Sequence, residues 1–117
     1  MADDKTTISE LKKHMADFVE RRDWQQFHSP KNLAIGMAIE TGELLEHFQW
    51  IDQQGSRDVV GDPEQMEQVK AEVADVLSYI LALADVMEID LSEAFYEKMK
   101  HNEQKYPADK YRGKYKL

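Results

Sequence analysis

Apolar residues recur at helical spacing along most of the chain. Leu77, Ile80, Leu81 and Ala84 follow one another at intervals of three, one and three residues, which place them on one side of a helix. No stretch shows the sustained alternation of apolar and polar residues that is typical of a β-strand. The pattern therefore predicts an all-α fold.

Four positions carry signals for the start of a helix. Thr7 and Asp90 are each followed three residues later by glutamate, as in a capping box, whereas Ser29 and Asp62 each precede a proline. These signals predict helices over about residues 8–22, 30–51, 63–88 and 91–105, with Pro107 ending the last one. The polar connection 52–61, DQQGSRDVVG, is expected to join the second and third helices as an antiparallel hairpin.

Composition narrows the class of protein. The 117 residues are expected to form a single domain, 1–117, with residues 1–6 and about 108–117 at its periphery. A net charge of −8 disfavours binding to a nucleic-acid polymer, and the absence of cysteine excludes disulfides and thiolate chemistry. We expect no signal peptide, and Asp75 and Asp85 make the longest apolar run too polar for a membrane span. A soluble cytoplasmic protein is predicted.

Two acidic pairs interrupt otherwise apolar helical segments. Glu40 and Glu43 lie three residues apart in the second helix, and so do Glu72 and Asp75 in the third. Residues at this spacing project from the same side of a helix, so packing of the two helices would bring four carboxylates together. Two unit charges 4 Å apart repel by about 4 kcal/mol at an effective dielectric near 20. The pairs therefore predict a bound cation, for which Mg²⁺ is suited by its preference for carboxylate oxygen. The alternative is a solvated acidic face.

Three neighbours share the stripes that carry these pairs. Gly36 and His47 lie on the stripe of the first pair, and Tyr79 lies on the stripe of the second. The missing side chain of Gly36 could allow close approach of another element.

The fourth helix carries a polar stripe of its own. Lys98, Asn102 and Lys105 lie at positions i, i+4 and i+7, which aligns two ammonium groups with an amide. Such groups recognise phosphate. The alternative is that the lysines only complement the helix dipole.

Aromatic residues flank the second helix. Trp24, Phe27 and His28 precede it, and Trp50 lies at its predicted far end. Their rings could stack on a nucleobase, or they could serve only as hinge and core packing.

Four segments together resemble a known family. DWQQFHSPKNLA, GELLEHFQW, EVADVLSYILALA and KMKHNEQKYP, within residues 8–107, are similar to the MazG-like superfamily of all-α nucleoside triphosphate pyrophosphatases, and within it to the dCTP pyrophosphatase branch. The family motif is ExxE followed at a distance by ExxD. The resemblance implies a MazG-like four-helix bundle completed by homo-oligomerisation, as a homodimer or homotetramer with sites close to subunit interfaces.

The resemblance also implies roles for particular residues. Metal binding falls to Glu40, Glu43, Glu72 and Asp75. Lys98, Asn102 and Tyr79 would lie near the phosphates and sugar, and Trp24 and Trp50 would help to enclose the base. We also expect His28, Lys105 and Tyr106 to bind substrate. Met15 stands where relatives carry a histidine near the base, and His14 points about 100° away on the helix, which leaves the base preference open.

The expected reaction is Mg²⁺-dependent hydrolysis of a nucleoside triphosphate, dCTP or a modified dCTP, to the monophosphate and pyrophosphate, as in nucleotide-pool house-cleaning. Glu40 or Glu43 would orient or deprotonate the attacking water, and Lys98 would stabilise charge on the leaving group. One alternative is a non-catalytic helical interaction module. A di-iron carboxylate bundle fits less well, because such sites use Glu-x-x-His and neither acidic pair has histidine at that position.

Overall fold

The structure of the chain is a computed structural model, and it describes residues 1–116. Leu117, which belongs to the terminal segment expected at the periphery, lies outside the described residues. Within the described residues six α-helices follow one another and no β-strand occurs. The helices are α1 (Ile8–Arg21), α2 (Pro30–Glu46), α3 (Gln53–Asp58), α4 (Pro63–Val86), α5 (Leu91–Lys105) and α6 (Ala108–Tyr111). The predicted all-α class is confirmed.

The four long helices begin where their N-cap residues predict. The side chain of Thr7 accepts a hydrogen bond from the backbone N–H of Glu10, and the side chains of Ser29, Asp62 and Asp90 cap α2, α4 and α5 in the same way. Left-handed residues end α1 and α4: Asp23 has φ 52° and Glu88 has φ 55°. In each case the next backbone N–H reaches back to a carbonyl five residues earlier.

The second helix is shorter than predicted. It ends at Glu46 instead of residue 51, and turns follow over residues 47–50. The connection 52–61 is not an irregular loop, because Asp52 caps the short helix α3 and a 3-10 turn follows at Val59–Gly61. Trp50 therefore lies beyond the end of α2.

Helix α4 is the centre of the fold. It packs most extensively against α2 and next against α1. The buried core is small and consists of Val19, Leu33, Val59, Leu81, Ala82 and Ala84. Lys12 on α1 donates a hydrogen bond to the carbonyl of Ile89, which ties α1 to the end of α4.

Helix α5 lies apart from this core. It packs extensively against none of the other described helices, and its side chains Phe95 and Tyr96 are 60% and 73% exposed. The Cα radius of gyration is 17.3 Å, compared with about 13 Å for a compact domain of this length. A single copy is therefore an open bundle with apolar surface in contact with solvent. None of the helices within residues 1–116 is both long and apolar enough to cross a membrane.

Candidate functional site

Three carboxylates meet where α2 packs against α4. Glu40, Glu43 and Glu72 each offer one oxygen, and these oxygens all lie within 4.8 Å of one another. We refer to these three residues as the carboxylate cluster. Glu40 and Glu43 come from one turn of α2, whereas Glu72 comes from α4. The i, i+3 spacing on α2 thus brings its two carboxylates to the same place.

Two oxygens of the carboxylate cluster are buried without a partner. Glu40 Oε2 and Glu72 Oε2 receive no hydrogen bond from any group within residues 1–116. Burial of an unpaired carboxylate oxygen is costly unless a proton, a donor or a cation compensates it. Oxygen donors of this kind suit Mg²⁺, so the residues present fit a divalent cation.

The electrostatics of Glu40 reflect this crowding. Burial raises the pKa of Glu40 above its ordinary value, because the charged form loses hydration. The neighbouring Glu43 carboxyl, which can share a proton with Glu40, raises the pKa further, as do the negative charges of Glu43, Asp75 and Glu72. Without a cation, Glu40 therefore binds a proton more readily than an exposed glutamate does.

Asp75 lies at the edge of the carboxylate cluster. It follows Glu72 by one turn of α4, yet it is exposed and is not one of the three residues whose oxygens lie within mutual reach. Its charge nevertheless acts on Glu40. Three of the four predicted metal ligands are brought together, and the fourth stands beside them.

His47 contacts the carboxylate cluster from the end of α2. Its Nε2 lies 3.7 Å from Glu72 Oε1, and both side chains are about one-fifth exposed, at 22% and 21%. The sequence places His47 on the stripe of Glu40 and Glu43 but assigns it no partner. The two groups form an ion pair when His47 is protonated. To predict this pair, one must know how α4 lies against α2, which residue spacing in the sequence does not give.

Tyr79 lies against the backbone of α2. A β-carbon placed on Gly36 would lie 2.3 Å from Tyr79 Cε1. The ring therefore occupies the space that the glycine leaves open, one turn of α2 before Glu40.

Within residues 1–116, the predicted phosphate-binding residues of α5 form no ion pair or hydrogen bond with the carboxylate cluster. Within residues 1–116, no ion pair involves Lys98, which lines an apolar groove with Ile8 and Phe95. Asn102 Nδ2 lies 3.9 Å from Met99 Sδ. The ammonium group of Lys105 lies 5.4 Å from the ring centroid of Tyr106.

The predicted aromatic residues occupy separate environments. Trp24 packs edge-on against Phe18 with a ring-centroid distance of 5.9 Å, and the guanidinium of Arg22 lies 3.7 Å above the Phe18 ring. Trp50, in the turn after α2, is 86% exposed. His28 is half-buried and lines a cavity between α1 and α4.

That cavity has a volume of about 210 Å³. The residues that line it include Met15, Ala16 and His28, together with Ala82, Asp85 and Val86 of α4. Of these, only His28 is among the residues that the sequence predicts to bind substrate. The cavity combines residues 15–28 with residues 82–86, which are distant in the chain, so no local pattern indicates it.

An all-α fold with acidic pairs on two packed helices is the architecture that the resemblance predicts, and comparison with known proteins supports the same assignment. A model of the MazG-like family matches residues 35–116, more than half of the chain. The chain belongs to the MazG-like family, and this prediction from the sequence is confirmed.

Two relatives of the same kind are similar to this chain. It is 37% identical over 107 residues to dCTP pyrophosphatase 1 of Mus musculus and 37% identical over 102 residues to that of Homo sapiens. These alignments cover 92% and 87% of this chain but 63% and 60% of the two relatives. The chain thus spans less than two thirds of their length.

A solved structure is similar over most of both chains. The crystal structure of a pyrophosphatase from Archaeoglobus fulgidus DSM 4304 superposes with a TM-score of 0.78 at 43% sequence identity. The match covers 85% of this chain and 91% of that protein.

Proposed function

We propose that this chain hydrolyses a deoxynucleoside triphosphate, dCTP or a modified dCTP, to the monophosphate and pyrophosphate. The observation that carries the proposal is the carboxylate cluster with its two buried, unpartnered oxygens. Similarity to dCTP pyrophosphatase 1 and to a pyrophosphatase of known structure supports both the reaction and the substrate class.

The cofactor in this proposal is Mg²⁺, held by Glu40, Glu43 and Glu72 with Asp75 beside them. Bound Mg²⁺ would supply phosphate binding, a lowered pKa of the attacking water and neutralisation of charge on the leaving group. The unpartnered oxygens of Glu40 and Glu72 support this assignment, because the chain offers them no compensating donor within residues 1–116.

The side chains of the site then divide the remaining tasks. Water attacks the α-phosphorus, the bond from that phosphorus to the bridging oxygen breaks, and pyrophosphate leaves. A carboxylate of the Glu40–Glu43 pair orients the water and accepts its proton. Tyr79, between the two helices, lies beside the sugar and phosphates. Lys98 offsets charge on the departing diphosphate, and Asn102 donates a hydrogen bond to it.

Lys98 and Asn102 can perform this role only if α5 meets a carboxylate cluster. Within one copy α5 packs extensively against none of the other described helices, and Phe95, Tyr96 and Met99 expose 60%, 73% and 43% of their surface. Ile35 and Ile39 of α2 are likewise 49% and 57% exposed. Contiguous exposed apolar surface is characteristic of an interface. We therefore include a second copy in the proposal, which covers these surfaces and completes the site.

A product-resolved screen of nucleoside triphosphates with Mg²⁺ tests the function. We expect dCTP to yield dCMP and pyrophosphate by chromatography. Formation of dCDP and orthophosphate would contradict the proposed cleavage. No turnover across the panel, together with no saturable Mg²⁺ binding, would favour a helical interaction module instead.

A further inference from the structure

We propose that His47 is a positioning residue, which binds one oxygen of Glu72 and so leaves a single oxygen of that carboxylate for the cation. Glu72 then coordinates through one oxygen only, which favours Mg²⁺ over the larger Ca²⁺. The role of His47 rests on the proposed function, because the cation that it selects is the one proposed to bind the substrate phosphates. Neither acidic pair of the sequence includes His47.

The two oxygens of Glu72 lie in different surroundings. Oε1 lies 3.7 Å from His47 Nε2, whereas Oε2 is buried and receives no hydrogen bond from any group within residues 1–116. A buried carboxylate oxygen without a donor is costly unless a proton or a cation compensates it. One oxygen of Glu72 therefore faces an imidazole, and the other is left for a cation.

The last turn of α2 holds His47 in place. His47 is the C-cap residue, with φ −71° and ψ −16°, and its backbone N–H donates to the carbonyls of Leu44 and Leu45. It follows Glu43 by four residues and therefore lies on the same side of the helix. Its side chain is only 22% exposed, so protein surrounds most of the imidazole. Helical backbone thus fixes the ring beside the carboxylate cluster.

The contact between His47 and Glu72 differs from the other ion pairs of the chain. Three ion pairs occur within residues 1–116, and two of them join exposed groups three residues apart. Only the pair of His47 with Glu72 joins two helices. In that part of the chain, neither lysine nor arginine forms an ion pair with the carboxylate cluster. His47 is therefore the basic side chain placed to orient Glu72.

His47 orients a ligand rather than acting as one. The ligand atoms that lie within 4.8 Å of one another come from the carboxylate cluster alone, without a nitrogen of His47. Mg²⁺ also prefers oxygen ligands to imidazole. Nε2 donates in the imidazolium and in the neutral tautomer that carries its proton there. The separation of 3.7 Å exceeds that of a direct hydrogen bond. Because the terminal torsion of a glutamate is broad, a small rotation of Glu72 closes the gap.

Coordination through one oxygen separates the two divalent cations. Mg²⁺ takes octahedral ligands at about 2.0–2.1 Å and is held by one or two carboxylates, whereas Ca²⁺ takes about six to eight oxygens and often binds both oxygens of a carboxylate. When His47 retains Oε1, Glu72 offers Ca²⁺ one ligand fewer than a free carboxylate does. Mg²⁺ needs only the remaining oxygen, so it loses nothing.

His47→Leu tests this role through the ratio of two dissociation constants, that for Ca²⁺ to that for Mg²⁺. Nuclear magnetic resonance titrations of the nucleotide-free protein with MgCl₂ and with CaCl₂, at constant ionic strength, measure both. Loss of the imidazole also changes the charge near the site, but this effect is nearly equal for two divalent ions and cancels in the ratio. We expect the ratio to fall about tenfold, which is the low end of the effect of residues that support metal ligands.

Three further variants make the test specific. His47→Gln should keep a ratio close to that of the parent, because the glutamine amide presents an N–H donor near the position of Nε2. His47→Ala repeats the loss of the donor without adding an apolar group. His14→Leu removes an exposed imidazole of α1 and should leave the ratio unchanged. A folded His47→Leu or His47→Ala with the parental ratio, including one that binds both ions equally weakly, would overturn the role of His47.

The failures of the two proposals are distinguishable. A parent that binds Mg²⁺ saturably but hydrolyses no nucleoside triphosphate contradicts the proposed reaction, and its ratio of dissociation constants is still measurable. A parental ratio in the folded variants contradicts the role of His47, whether or not the parent is active. A parent that binds neither ion saturably contradicts the assignment of Mg²⁺ and the role of His47 together.

Discussion

The ring of Tyr79 on α4 occupies the space beside Gly36 on α2. Any residue other than glycine at position 36 would place its side chain in that space. A β-carbon on Gly36 would lie 2.3 Å from Tyr79 Cε1 and 2.7 Å from Cζ, whereas non-bonded carbon atoms prefer about 3.5–4.0 Å. The contact lies one helical turn from Glu40. It therefore sets how closely the two helices approach at the carboxylate cluster.

Gly36→Ala should disrupt both the fold and the site. The Tyr79 ring must move, which we expect to cost about 1–3 kcal/mol of unfolding free energy and to reduce activity. Gly42→Ala is the control on the same helix, because a β-carbon there meets nothing within 4 Å. The control should gain about 0.5–1 kcal/mol from helix propensity. Chemical denaturation measures both changes, and equal stability of the two variants would refute the contact.

The parts of the fold that depend on local chemistry are predictable from the sequence. Each N-cap bond spans at most three residues, as between Thr7 Oγ1 and the N–H of Glu10 at 3.1 Å. The predicted end of α2 is wrong. Neither glycine nor proline occurs between Glu46 and Asp52, so the sequence carries no local signal that the helix ends there. Instead, Asp52 caps the N-terminus of a new helix, α3, and α2 ends before it.

The site is predictable only as far as helical spacing reaches. The convergence of Glu40 with Glu43 follows from an i, i+3 interval. The outward position of Asp75 and the 3.7 Å approach of His47 to Glu72 depend instead on how α4 is rotated against α2. The position of Lys98 relative to the carboxylate cluster depends on what α5 packs against, and the spacing of residues along the chain does not determine that.

If Trp24 and Trp50 stack on the nucleobase, truncation of either side chain should weaken nucleotide binding. Stacking contributes about 1–3 kcal/mol per base, so Trp24→Ala and Trp50→Ala should each weaken nucleotide binding about 5-fold to 150-fold. Calorimetric titration measures the affinity. Trp50 is 86% exposed, so its loss should leave helical content unchanged, whereas Trp24 packs on Phe18 and its variant requires a stability check. Unchanged affinity in both variants would remove the tryptophans from the site.

A site shared between copies predicts complementation between two inactive variants. Lys98→Ala removes the group on α5, and Glu43→Gln impairs the carboxylate cluster. If each site combines α5 of one copy with the cluster of another, refolding the two variants together should restore about a quarter of parental activity in a two-fold dimer.

Complementation is measured against each variant refolded alone. Light scattering under the same conditions gives the oligomeric state. A mixture no more active than the separate variants, in a protein shown to form mixed oligomers, would place Lys98 and the carboxylate cluster of each site in the same copy.

The raised pKa of Glu40 predicts how stability depends on pH. The folded state holds an extra proton between the ordinary pKa of a glutamate and the raised pKa of Glu40. The resulting stabilisation is complete below the ordinary value and is lost as pH rises through the raised value. Metal-free protein should therefore become less stable across this window. Mg²⁺ should reduce the loss, because it binds the folded state in place of the proton.

Thermal melts at several pH values, with and without Mg²⁺, test this on three proteins. Glu40→Gln has no charge to neutralise, so its metal-free melting temperature should be at least that of the parent at neutral pH and should vary less across the window. Its response to Mg²⁺ should be weaker, because one ligand is missing. Glu46→Gln removes a charge from an exposed position of α2 outside the carboxylate cluster and should behave as the parent does. A destabilised Glu40→Gln, with no effect of Mg²⁺ on the parent, would instead show that Glu40 is a structural partner within the bundle.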